Sequence, residues 1–191
     1  EGVELDLGVT EENFPLANPY VISAYKEARE QYNVTFTGIA VNLTDFYPMT
    51  APLGDPGREL VEIAIRKALD TAAALSIPLI HVPSFFKSQL TTEEDLRNTA
   101  DCMQRSCDYA ADRGVIVCTE NNIDTPMQLQ MIELVDRPNF KVYFDTQNYN
   151  VNHLYTPDLI PPIIDYIAEV HVKDGYDKLS THAIGTGGGN H

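Results

Sequence analysis

The stretch KVYFDTQN, residues 141–148, decides the fold. Val142, Tyr143 and Phe144 form a short apolar run suited to a buried strand, and Asp145 ends it by delivering a carboxylate into a polar loop. Two other runs end in the same way: GVIVCTENN at 114–122 reaches Glu120, and IAEVHVKDG at 167–175 reaches His171. Glu120 and Asp145 are 25 residues apart, and Asp145 and His171 are 26 apart. A strand, a loop and a returning helix need about that much chain, so the spacing predicts equivalent positions on successive parallel strands. Three potential metal ligands are then expected on one rim.

Working outward, runs short enough for strands occur at 3–7, 36–43, 77–82 and 115–119, besides 142–144 and 167–172. Most are continuously apolar, as strands covered on both faces should be. Helical patterns lie between them. The clearest is 58–76, where Val61, Ile65, Ala68, Ala72 and Leu75 form a packing face and Glu59, Glu62, Arg66, Lys67 and Asp70 form a wet one. Asn18-Pro19, Asp55-Pro56, Thr125-Pro126 and Thr156-Pro157 each place a capping oxygen before a proline suited to the first helical position. Thr91 and Glu94 predict a capping box ahead of a helix over 96–113.

Alternating strands and helices, without low-complexity segments or linkers, predict one α/β domain with a parallel sheet. No glycine-rich turn follows the runs at 3–7 or 36–43, which argues against a doubly wound open sheet. In a barrel, strand C-termini converge on one rim. The expected fold is therefore a (β/α)8 TIM barrel.

The chain carries 13 basic and 28 acidic residues, a net charge of −15 that works against a nucleic-acid partner. No stretch approaches the roughly 18 apolar residues of a membrane span, so no membrane partner is expected. Cys102, Cys107 and Cys118 are odd in number and lack a C-x-x-C spacing, which reads as buried, reduced thiols in a cytoplasmic protein.

Glu120, Asp145 and His171 offer two hard oxygens and one nitrogen, a set suited to one divalent ion among Mn, Mg, Co and Zn. Such donors should converge within roughly 4 Å of one another. Strand-end acids also cap loops and a histidine can bond a backbone carbonyl, but agreement across three strands favours the metal. His81, at the end of its strand, is expected near substrate, as are Asn148 and Lys173, the last sharing a side with His171. The run GTGGG at 185–189 would either cradle an anion through its amides or remain mobile. His153, His182 and His191 are given no role.

The motifs CTEN at 118–121, FDTQN at 144–148, VHVKDG at 170–175, IGTG at 184–187 and VPSFFKS at 82–88 resemble the sugar phosphate isomerase/epimerase family of xylose-isomerase-like TIM barrels. The resemblance implies a divalent metal held by Glu120, Asp145 and His171, with a second glutamate from the final strand. It further implies proton transfer between neighbouring sugar carbons through an enediolate, with Glu120 as ligand and base. The expected partner is a small-molecule sugar or sugar phosphate, and a homo-oligomer is compatible with this reading. Where some members carry a basic residue after the metal-binding histidine, this chain has Asp177 and Lys178.

Six strands are visible where eight are expected, so the first and last strands and the fourth ligand would lie outside this chain. The six should form an open barrel with its gap between 3–7 and 167–172 and the triad exposed there. Two other functions are weighed. A zinc-dependent AP endonuclease shares the barrel but wants a histidine where Asn148 stands, and the charge disfavours it. A non-catalytic sugar-binding barrel is countered by the triad itself.

Overall fold

The computed structural model describes residues 2–176 and 178–189; Asp177 and His191 lie outside the described residues. Six strands form one parallel sheet in chain order: β1 (Gly2–Asp6), β2 (Thr35–Ala40), β3 (Leu79–Pro83), β4 (Ile116–Glu120), β5 (Phe140–Asp145) and β6 (Ile167–His171). The helices are α1 (Pro19–Tyr32), α2 (Pro56–Leu75), α3 (Glu93–Ala110), α4 (Thr125–Val135), the short α5 (Thr146–Asn150) and α6 (Thr156–Ile163).

The sheet is strongly curled. The hydroxyl of Tyr143 on β5 donates to Glu4 Oε2 on β1 at 2.7 Å, whereas four strand spacings in a flat sheet would separate those strands by roughly 19 Å. Sequential parallel order, helical crossovers and curl make this an incomplete (β/α)8 barrel. Among the described residues β1 pairs only with β2 and β6 only with β5, so the opening lies where expected. The triad is not laid bare there. Glu120 and Asp145 are 5% and 0% exposed, and only the His171 side chain, at 40%, meets solvent. Lys173, just after β6, stands against Asp145, and Asn148 of α5 donates to Glu120.

Alternation along the strands divides two cores. Ile80, Val82, Val117, Val142 and Phe144 pack outward against helices, while Leu79, Cys118 and Tyr143 form a separate cluster inside the barrel. The next inward positions, His81, Glu120 and Asp145, are where apolar filling gives way to polar groups. At Gly38 on β2 the lumen leaves no room: a Cβ there would meet Leu79 Cδ1 at 2.9 Å.

Several boundaries differ from the sequence reading, each for a local reason. The run 36–43 ends as a strand at Ala40, and Asn42–Asp45 turn into a 3-10 helix. The capping box is formed by Thr92 and Asp95, one residue beyond Thr91 and Glu94. Asp95 wins because its Oδ2 also accepts from the amide and hydroxyl of Thr91. Asp124, not Thr125, caps α4. The Thr156 hydroxyl donates to Thr146 O instead of capping α6.

The wet face of α2 is also only partly wet. Arg58 is completely buried and donates to Met49 O, Ala51 O, Asn98 O, Glu62 and Asp101, tying α2 to the loop before it and to α3. Glu62 is drawn inside as its partner. The three cysteines are buried and unpaired with one another, as expected. Among the described residues no helix is long and apolar enough to cross a membrane.

Candidate metal and substrate site

The site is built by register. Asp145 pairs directly with His171, and Pro83 pairs with Glu120. The β4–β5 ladder aligns Thr119 with Val142, which places Glu120 beside Tyr143 and two residues short of Asp145. The 25-residue spacing therefore does not give equivalent positions on β4 and β5. Strands of a barrel tilt against its axis, and a stagger of two residues keeps side chains facing inward while bringing Glu120 level with Asp145.

Glu120, Asp145 and His171 come together, each with a potential ligand atom within 4.8 Å of the others. The set is wider than the roughly 4 Å expected for bound donors. A cation already stands in it: Lys173 Nζ lies 2.5 Å from Asp145 Oδ2, and His171 Nδ1 lies 3.5 Å from the same oxygen. Neither satisfies that oxygen by hydrogen-bond geometry. Asp145 Oδ2 and His171 Nδ1 are both buried polar atoms without a hydrogen-bond partner among the described residues. The other Asp145 oxygen is fixed, accepting from the amides of Gln147 and Asn148 at the start of α5. Two orphaned donor atoms and a second carboxylate, that of Glu120, converging on one point, fit a divalent cation.

Asn148 donates through Nδ2 to Glu120 Oε1 at 2.9 Å. His81 Nε2 lies 3.5 Å from the other oxygen, Oε2. Burial pushes the Glu120 carboxyl up to about 7, with the Asp145 charge adding to it and Lys173 opposing. Burial, against the pull of Glu4, takes His81 down to about 4. His81 is thus neutral near pH 7, and its contact with Glu120 is polar rather than ionic. It stacks on Tyr143 with ring centroids 4.2 Å apart, in mid-strand rather than at the strand end.

A pocket of about 540 Å³ opens over this pole, lined by Glu120, Asn148 and Lys173 and on its far side by Asn42, Asp45 and Phe86. A larger hollow of about 650 Å³, lined by His153, Tyr155 and Tyr176 among others, contains none of the three ligand candidates. Chemistry, not size, selects the smaller one.

A family model described as xylose isomerase-like TIM barrel matches residues 1–191. The chain belongs to that family. A curated relative, 2-epi-5-epi-valiolone 7-phosphate 2-epimerase from Actinoplanes sp., is 25% identical over 178 residues, covering 92% of this chain and 63% of the relative. The chain thus spans less than two thirds of that protein's length. Among solved structures, a D-tagatose 3-epimerase-like protein superposes with TM-score 0.79 at 20% identity, over 97% of this chain and 72% of its own. The IOLI protein, solved with a zinc atom, superposes with TM-score 0.76 at 13% identity, over 99% of this chain and 71% of its own. At those identities the two structures speak for the fold.

Within this xylose isomerase-like barrel all six residues singled out from sequence gather at one pole. Sequence reasoning missed Glu4 and Tyr143, whose inward direction follows from strand alternation, and Asp45, which sits on a turn without a motif; Phe86 lay inside the VPSFFKS run but was given no role of its own. It also offered the glycine run as an anion cradle. The anion it holds is its own Asp174, which accepts from the amides of Gly175, Gly185, Gly187 and Gly189 at 2.8 to 2.9 Å. Those amides are spent on an internal carboxylate, and the loop is ordered by it.

Proposed function

We propose that this chain carries the catalytic pole of a divalent-metal-dependent sugar or sugar-phosphate isomerase or epimerase working by proton transfer through an enediolate. The observation that carries the reading is the convergence of Glu120, Asp145 and His171 with two buried donor atoms left without hydrogen-bond partners. These three residues would hold the ion, Mn, Mg, Co or Zn. A bound divalent ion would polarise the carbonyl and hydroxyl oxygens of the sugar and acidify the hydrogen on the carbon between them.

Glu120 then takes that proton. With Asn148 holding Oε1, Oε2 is the oxygen free to act as base. Burial favours the protonated form of this carboxyl in the metal-free protein, and a bound cation would shift it back towards the carboxylate that accepts the proton. Lys173 balances the Asp145 charge; an ion at Asp145 would displace its ammonium towards a substrate oxygen in the same pocket. The family membership and the relative's epimerase name support the reaction class. Closure of the barrel by two further strands, one bringing a second glutamate, belongs to the same proposal and is supported by the unpaired edges of β1 and β6.

The test is solvent exchange. The complete polypeptide, including the strands proposed to close the barrel, incubated with Mn²⁺ and a panel of ketoses and ketose phosphates in D2O, should place deuterium on the carbon next to the carbonyl, and EDTA should stop it. No incorporation into any of them, with metal bound, would sink the reading.

A further inference from the structure

The far wall of the pocket is built by two 3-10 turns, Asn42–Asp45 after β2 and Phe86–Ser88 after β3. The fully buried Ser88 hydroxyl staples them together, donating to Thr44 O and Tyr47 O and accepting from the Met49 amide. On that rigid wall Asp45 and Phe86 both face the pocket that holds Glu120. Asp45 Oδ1 is buried without a hydrogen-bond partner among the described residues. Phe86 is held at φ 46°, a left-handed backbone that costs a non-glycine residue energy, and its ring is 79% exposed. A strained turn displaying an aromatic ring beside an unsatisfied carboxylate needs an explanation in what the wall meets.

We propose that Asp45 and Phe86 are the specificity wall of this site, and that they select a sugar whose end remote from Glu120 bears free hydroxyls rather than a phosphate. The inference rests on the sugar reading above and deepens it. A carboxylate only accepts hydrogen bonds, so a hydroxyl satisfies it and a phosphate dianion is repelled by it. The ring offers an apolar surface to the C–H face of a sugar, the usual combination of apolar lining and few polar groups in small-molecule pockets. Neighbouring amides are already engaged, Asn42 with Asp6 and Gln89 with Asn122. Burial raises the Asp45 carboxyl from its ordinary value, as expected for an acid without a partner. Lys87, next to Phe86, lines an adjoining hollow of about 510 Å³ that also touches Asp45 and Phe86. Lys87 is the control residue, since a phosphate-binding wall would depend on it.

Binding of D-fructose and of D-fructose 6-phosphate to the Mn²⁺-loaded full chain is measured by calorimetry, with exchange into both sugars read in parallel. D-fructose should bind at least about tenfold more tightly than the ester. Asp45→Asn, which keeps the shape and removes the charge, should narrow that ratio at least about fivefold, and Phe86→Ala should weaken both sugars alike. Lys87→Ala should leave the ratio unchanged. Thermal melts establish folding, and Asp45→Ser replaces the asparagine variant if that one is unstable. Equal or tighter binding of the ester, an unchanged ratio in the Asp45 variants, a ratio moved by Lys87→Ala, or no binding of either sugar would overturn the proposal. Exchange confined to the ester would sink the wall and leave the chemistry, whereas the expected ratio without exchange would sink the chemistry and leave the wall.

Discussion

Asp145 ends β5 and Asp174 follows β6 by three residues, and both are removed from solvent. Asp174 accepts four backbone N–H bonds from its own loop. Asp145 accepts two on one oxygen and, among the described residues, none on the other, which faces Lys173 and His171. The first carboxylate is saturated and has become part of the backbone's hydrogen bonding. The second is kept partly unsatisfied, an arrangement that costs stability and persists where an external ligand repays it. Saturation therefore separates these two acids where burial does not, and under the proposed function Asp145 would be the working one.

Substitutions can break that distinction, and the largest effect is expected at the unsatisfied pole. Glu120→Gln keeps the bond to Asn148 but removes the base, so exchange should fall at least about 10²-fold. Excess Mn²⁺ that restored full activity would show Glu120 to be a ligand alone. Next in size, Lys173→Met leaves Asp145 buried beside no cation. In EDTA it should cost about 2–4 kcal/mol, below the figure for a fully buried pair because Lys173 keeps some solvent contact. Mn²⁺ should return most of that loss in a denaturant titration; an equal loss with and without metal would mean that no ion binds at Asp145.

At the saturated pole the effect is local. Asp174→Asn removes one acceptor oxygen and with it two of the four N–H bonds, so exchange of the loop amides that lose their acceptor should accelerate roughly tenfold each, with Mn²⁺ affinity unchanged. The Asp174 carboxyl is held well below its ordinary value of 3.8, first by the amides of Gly187 and Gly189. A lowered folded value means that its contribution is fully present above the unfolded value and disappears as pH falls through the folded one. The loop amides should therefore keep their protection at pH 4 and lose it only in stronger acid. Smallest is Asp95→Ala, at a half-buried acid whose Oδ2 accepts three local bonds, which should cost about 1 kcal/mol by thermal melt. Thr92→Ala should match it, while Thr91→Ala should cost less.

The six strands and the three ligand candidates were legible because apolar runs and polar terminators lie in continuous sequence. The β4–β5 stagger was not, since tilt against the barrel axis is a property of the closed sheet and leaves no local mark. Nor was the burial of Arg58 and Glu62, because helical periodicity describes one helix and cannot foresee a loop and α3 folding over its polar side. The glycine run was read as either an anion cradle or a mobile segment, and a sequence does not say that the anion its amides meet is an aspartate eleven to fifteen residues earlier rather than a ligand. Asp45 and Phe86 escaped notice because their importance comes from two turns meeting at Ser88.

The burial of the cysteines turns them into clocks for structural opening. Cys102 and Cys107 sit on α3 and Cys118 on β4, and burial raises all three thiols, the first two to about 12. At neutral pH so little thiolate is present that an alkylating reagent must wait for the polypeptide to open. Since helix and strand carry separate thiols, modification mapped by mass would time the detachment of α3 from the sheet apart from the loss of the sheet itself.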